Sequence, residues 1–206
     1  MAIKRYYLTK DNTITNAFKA DLLTRGTDAN MGASDILEAF VIHAQTSASV
    51  NATNAEQSRI LIQFSVDDIL QDIENEVVPS SSVSYYLKMF NAPHADTVPL
   101  DYSLDVAILT SSWSEGTGLD MEEYSDKGAS NWISGALATP WTAEGSDYNR
   151  TTAYSSSFFF SGGVEDLELN IDFAVDKWRT GVTPNYGLVI KHPDDIAIVT
   201  GKQLLL

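Results

Sequence analysis

Five carboxylates crowd one stretch of the chain: Glu115, Asp120, Glu122, Glu123 and Asp126. Several oxygen ligands on one loop are what a hard cation takes, so calcium is the cofactor to consider, although the spacing departs from an EF-hand loop. A solvated acidic loop and a contact for a basic neighbour are the other readings. Four aromatics, Tyr124, Trp132, Trp141 and Tyr148, lie within or just beyond the same stretch. Exposed rings there would anchor an interface or stack on a sugar, and buried ones would be core.

Other reactive residue types are sparse. His43, His94 and His192 are far apart in sequence and form no HxxxH pair, and the last two adjoin prolines, so all three are expected at the surface. There is no Gly-x-Ser-x-Gly elbow, no phosphate-binding loop and no dinucleotide-type glycine motif, and Gly162-Gly163 alone reads as a turn. The chain has no cysteine, which excludes disulfides, thiolate zinc sites and cysteine nucleophiles. Two carboxylates facing each other as in a glycosidase stay open, because sequence does not measure their separation. The expectation is a protein that binds or holds something and is not an enzyme.

The elements that must position these residues are strands. At 206 residues, 44% hydrophobic and 20% charged, the chain suits one globular domain spanning 1–206, without an apolar run long enough to cross a bilayer. The start, Met1-Ala2-Ile3-Lys4-Arg5-Tyr6-Tyr7, lacks the apolar run and cleavage site of an export signal. A net charge of −15, with 13 lysines and arginines scattered along the chain, would repel a phosphate backbone, so neither nucleic acid nor membrane is expected as a partner. Short apolar alternations separated by Gly, Asn, Asp, Ser and Pro predict strands over 35–43, 58–64, 83–91, 103–109, 155–161, 167–171 and 187–191. Seven such strands imply an all-β, antiparallel sandwich. Helical spacing over 66–73 and 173–179 predicts two short helices closing an open end. Residues 47–54 and 114–152 read as loops, the second long enough to be functional or an interface. The tail 192–206 is apolar again and would be covered by the domain or a neighbouring subunit.

Four motifs follow one another along the chain. Asn30-Met31-Gly32 follows Asp11-Asn12-Thr13-Ile14, and Arg59-Ile60-Leu61-Ile62-Gln63-Phe64 leads into Ser65-Val66-Asp67. Trp113-Ser114-Glu115-Gly116 ends the run from Leu104, and Trp178, Gly181 and Asn185-Tyr186-Gly187-Leu188 close the series. This succession, over roughly 11–191, resembles the DNRLRE-type domain, a jelly-roll module similar to carbohydrate-binding modules. Members usually pass quickly from Trp-Ser-Glu-Gly to a Thr-Trp segment. Here the acidic run Gly118-Leu119-Asp120-Met121-Glu122-Glu123-Tyr124 intervenes, so the loop need not share the family's ligand. The start of the chain resembles virion proteins of tailed bacteriophages that carry this domain.

The resemblance implies a jelly roll in a structural virion component, as capsid decoration or cement, neck or tail protein. Its partners would be other virion proteins, including copies of itself. Carbohydrate binding or host-surface adsorption is the alternative. From the residues themselves, Gly32 and Gly187 are expected in turns with positive φ. Arg59 is expected to pair with Asp172 or Asp67 at the sheet margin, and Trp113 and Trp178 to plug the ends of the fold, with sugar stacking as the other role.

Overall fold

The computed structural model describes residues 3–42, 55–93, 99–126 and 128–194. The expectations about His43, His94, the loop 47–54 and most of the tail, including Leu204 to Leu206, fall outside the described residues. The rest is mostly strand in antiparallel sheets with two short helices, an all-β fold.

The strands are β1 (Leu8–Thr15), β2 (Val41–Ile42), β3 (Glu56–Phe64), β4 (Tyr86–Met89), β5 (Tyr102–Ile108), β6 (Ser134–Ala136), β7 (Thr139–Pro140), β8 (Ser155–Phe160), β9 (Leu167–Asn170) and β10 (Leu188–Lys191). The main sheet runs β1-β3-β10-β5-β8, with β2 also on β3, while β4-β9 and β6-β7 are separate pairs. Both faces of this sheet are buried, and that follows from β3 and β10, whose apolar residues are continuous instead of alternating. Register then sorts them. Leu188 lies opposite Ile62 and Ile108, Ile190 opposite Ile60 and Val106, and these side chains form a first core. Val189, opposite Leu61 and Ala107, points the other way into a second.

The first core is closed by Leu87 of β4, Leu167 and Leu169 of β9, and the helices α1 (Val66–Glu74) and α2 (Asp172–Arg179). The helices therefore cover a sheet face and do not lie across an open end. Ser65 starts α1 by accepting a bond from Asp68 N, and Asp67 and Asp68 complement the helix dipole. Trp178 packs into this core from α2. The second core is covered by the connection after β5, which also carries the β6-β7 pair: Trp113, Trp132 and Trp141 from this connection lie over Leu61, Leu109 and Val189. Trp113 anchors there by donating its indole N–H to Tyr186 O at 2.9 Å.

Gly187 has φ +89°, and a Cβ there would collide with the Ile62 carbonyl of the neighbouring strand, so only glycine fits. Gly32 corrects the corresponding expectation. It is not among the positive-φ glycines, and what excludes a side chain is the Glu115 backbone lying against it.

Candidate functional site

The acidic stretch is fixed from beneath by two buried asparagines. Asn30 Nδ2 donates to Glu115 O (2.7 Å) and Ser130 O (2.9 Å), and its Oδ1 accepts from Gly118 N (2.8 Å) and Gly32 N (3.3 Å). Asn12, on β1, donates to Ser130 O and Oγ and accepts from Met31 N. The insertion is therefore stitched to the 30–32 turn and to the sheet. Buried amides with four bonds at Asn30 and three at Asn12 fix a loop by direction as well as by contact.

The five carboxylates do not converge. Glu115 accepts from Asp11 N (2.7 Å), Asp120 from Glu122 N and Glu123 N, Glu122 from Ala20 N, and Asp126 from Gly128 N. Four of the five are tied to backbone amides, Glu115 and Glu122 to amides distant in sequence and Asp120 and Asp126 to their own neighbours, and Glu123 shows no such bond among the described residues. Among the described residues no group of three or more His, Asp or Glu is placed to hold a metal ion. Burial, with Glu115 close by, raises the Asp11 carboxyl above its ordinary value, and burial lowers Lys10. Lys10 nonetheless donates to Trp113 O at 2.6 Å.

The insertion makes a groove. Leu119, Asp120 and Met121 on one side and Met31, Ala33, Ser34, Asp35, Ile36 and Glu38 on the other enclose an open cleft of about 460 Å³. Met31 is buried at the cleft, Ile36 and Leu119 are half exposed, and Asp35 and Glu38 stand exposed on the same segment. The segment 35–43 was expected to be a strand, yet only Val41–Ile42 pairs, leaving 33–38 free to form this wall. Apolar side chains within a carboxylate rim suit a partner segment that is both basic and apolar.

The loop aromatics separate. Trp132 and Trp141 are 3% and 6% exposed and belong to the core, Tyr148 is half-buried, and Tyr124 is 38% exposed near the groove, its carbonyl accepting from Asn30 N. Trp141 donates to Asn131 O at 2.8 Å.

Arg59 overturns the expectation of a carboxylate partner. Its guanidinium is buried, donates to Gly145 O, and lies 4.9 Å from the Trp132 ring centroid and 5.6 Å from that of Tyr148. The reason is strand parity: Arg59 shares the face of Leu61, whereas Asp67 and Asp172 begin helices that cover the opposite face. Asp172 instead accepts from Tyr85 N and Asn170 Nδ2. Burial lowers the Arg59 pKa, with Tyr148 and Asp194 opposing the shift. Two further cations approach the same tyrosine ring, Arg150 at 4.5 Å and Lys191 at 5.4 Å. Asp194 closes this cluster, accepting from Lys191 Nζ at 2.8 Å and from Arg150. Burial pushes the Asp194 carboxyl up, but the Lys191 bond and the surrounding cations outweigh it and hold it low.

His192 corrects the surface expectation. It is 4% exposed, Nε2 lies 3.3 Å from Ala39 O, Nδ1 has no partner, and burial lowers its pKa to about 4. No helix among the described residues is long and apolar enough to cross a membrane.

No family model, curated protein or solved structure matches the chain. The site therefore has to be read from its own chemistry. Sequence reasoning missed Asn12, Asn30, Asp35, Ile36 and Glu38. The Asn30-Met31-Gly32 turn was visible, but not that its asparagine side chain would seat the loop.

Proposed function

We propose that this chain is a non-enzymatic structural protein of a tailed-bacteriophage virion, a decoration, cement, neck or tail component built on a jelly-roll module of the DNRLRE type. It acts through protein–protein contacts. The observation that carries the proposal is the groove: the acidic insertion, where the sequence departs from the family pattern, forms an open apolar cleft rimmed with carboxylates. The loop beneath it is held by Asn30 and Asn12, so the surface is offered preformed, which lowers the cost of binding.

The test is direct. Mass spectrometry of purified particles should find the polypeptide, and a photo-crosslinker at Leu119 should capture a virion subunit. Absence of the chain from particles would sink the proposal. Glycan binding is the second reading, and exposed Tyr124 is the ring that favours it, since Trp132 and Trp141 have no free face. It predicts retention on a glycan array that is lost in Tyr124→Ala.

A further inference from the structure

The chain is acidic, with 13 lysines and arginines against 28 aspartates and glutamates. Almost every described cation is engaged within the molecule. Lys88, Arg150, Arg179 and Lys191 pair with carboxylates, Lys10, Lys19 and Lys177 donate to backbone carbonyls, and Arg25 donates to Asn16 O. Arg5 is the exception: it is exposed and makes no hydrogen bond, ion pair or ring contact with any described residue.

Its neighbours explain its posture. Lys4 Nζ lies 3.0 Å from Asp72 of α1, and the Tyr6 hydroxyl donates to the same carboxylate at 2.8 Å. With residues 4 and 6 tied down, residues 3, 5 and 7 project, and Ile3 and Tyr7 are 79% and 81% exposed. The result is a stripe of apolar, cationic and aromatic side chains held ready on the surface. With the segment held at Lys4 and Tyr6, part of the backbone ordering cost is met within the monomer.

We infer that the Ile3-Arg5-Tyr7 stripe docks in the Met31–Leu119 groove of a second copy of the chain. Arg5 meets Asp35 and Glu38, whose carboxylates make no hydrogen bond or ion pair with the described residues, while Ile3 and Tyr7 cover Ile36, Leu119 and Met121. At a net charge of −15, most surfaces of two copies repel, and this pairing brings opposite charges together. Stripe and groove are different surfaces, so the contact is heterologous: it repeats head to tail and either closes into a ring or continues as a filament. The inference rests on the contact-making reading of the groove and names its occupant.

Sedimentation equilibrium of the full chain tests it at about 0.1 M salt, where a Debye length of roughly 10 Å mutes repulsion between whole bodies but not direct contacts. The wild-type chain should assemble beyond a dimer. Arg5→Glu and the double variant Asp35→Lys/Glu38→Lys should each weaken association by about tenfold or more, since each places like charges in contact. An equimolar mixture of the two should recover association beyond a dimer, because both contacts are complementary again: the native stripe of one variant meets the native groove of the other, and the reversed stripe meets the reversed groove. A monomeric wild type, or association indifferent to both variants, would overturn the inference. Calorimetry with the peptide Ile-Lys-Arg-Tyr-Tyr-Leu-Thr separates the two proposals. If the peptide binds while the chain stays monomeric, self-association is refuted and the groove keeps its role as a contact surface. If neither occurs, self-association is refuted, and the contact-making reading is decided separately by the particle mass spectrometry and the Leu119 crosslink. All substituted side chains are exposed, and near-ultraviolet circular dichroism confirms that each variant is folded.

Discussion

The two faces of the main sheet are buried by different means. On one face, Ile60, Ile62, Val106, Leu188 and Ile190 meet other regular elements, the β4-β9 pair and two helices, through apolar contact. On the other, Leu61, Leu109 and Val189 are covered by a connection with little regular structure of its own. That connection stays in place through three tryptophans and the hydrogen bonds of Asn12 and Asn30, with Arg59 packed between aromatic rings beside them. Apolar area is non-directional and tolerates substitutions that conserve volume. The loop-covered face depends on bonds with fixed partners, and it is the face whose covering segment also builds the groove.

Substitutions can break this contrast, beginning with the largest effect. Trp132→Ala should cost about 4 kcal/mol by opening a cavity over the sheet, read as a loss in denaturant unfolding. Leu188→Ile on the first face should cost less than about 1.5 kcal/mol. Equal losses would show that the two faces are not held differently.

His192 tests the rim of the first face, where its ring lies 5.8 Å from that of Tyr102. Burial lowers its folded-state pKa to about 4 from the ordinary 6.5. The folded form then binds fewer protons than the unfolded chain within that window. This contribution to stability is complete above about pH 6.5 and is lost as pH falls toward 4, about 3 kcal/mol in all. The stability of His192→Gln should fall less steeply with acid over the same range. Parallel slopes would show that the ring titrates normally.

Asn30→Ala removes four hydrogen bonds and leaves buried amides unpaired, for an expected loss of about 2 kcal/mol. It should also raise the hydrogen-exchange rate at Gly118 and not at Ile60, which would place the damage in the loop. Arg59→Met is the smallest. It trades a buried cation that makes no direct ion pair among the described residues, with Asp194 acting on it only from a distance, for an apolar chain of similar length, so stability should change by no more than about 1 kcal/mol. A loss of several kcal/mol would mean that the cation itself holds the loop.

Much of the first face was legible in the sequence. The helices at 66–73 and 173–179 and the strands at 103–109, 155–161, 167–171 and 187–191 agree with the structure to within a residue or so, because apolar periodicity reports burial against regular elements. Strand β1 was not, since its centre reads Lys10-Asp11-Asn12 and its buried positions include asparagine and threonine satisfied by distant loops. The same limit hid the burial of Trp132 and Trp141. Whether a loop aromatic turns inward depends on what pins the loop, and here Asn12 and Asn30 make those bonds across more than 80 residues of chain. His192 looked like a turn residue beside Pro193 and is instead sealed beneath Ala39 and Tyr102.

The tryptophans have one more consequence. Three of the four, Trp113, Trp132 and Trp141, lie on the loop-covered face, and Trp178 alone packs with the other. Intrinsic fluorescence is therefore weighted toward one side of the sheet, whereas far-ultraviolet ellipticity samples the strands and helices of both. On heating, the emission will follow the loop lifting away from the sheet. If that occurs before the strands separate, the two signals will trace different transitions in the same sample.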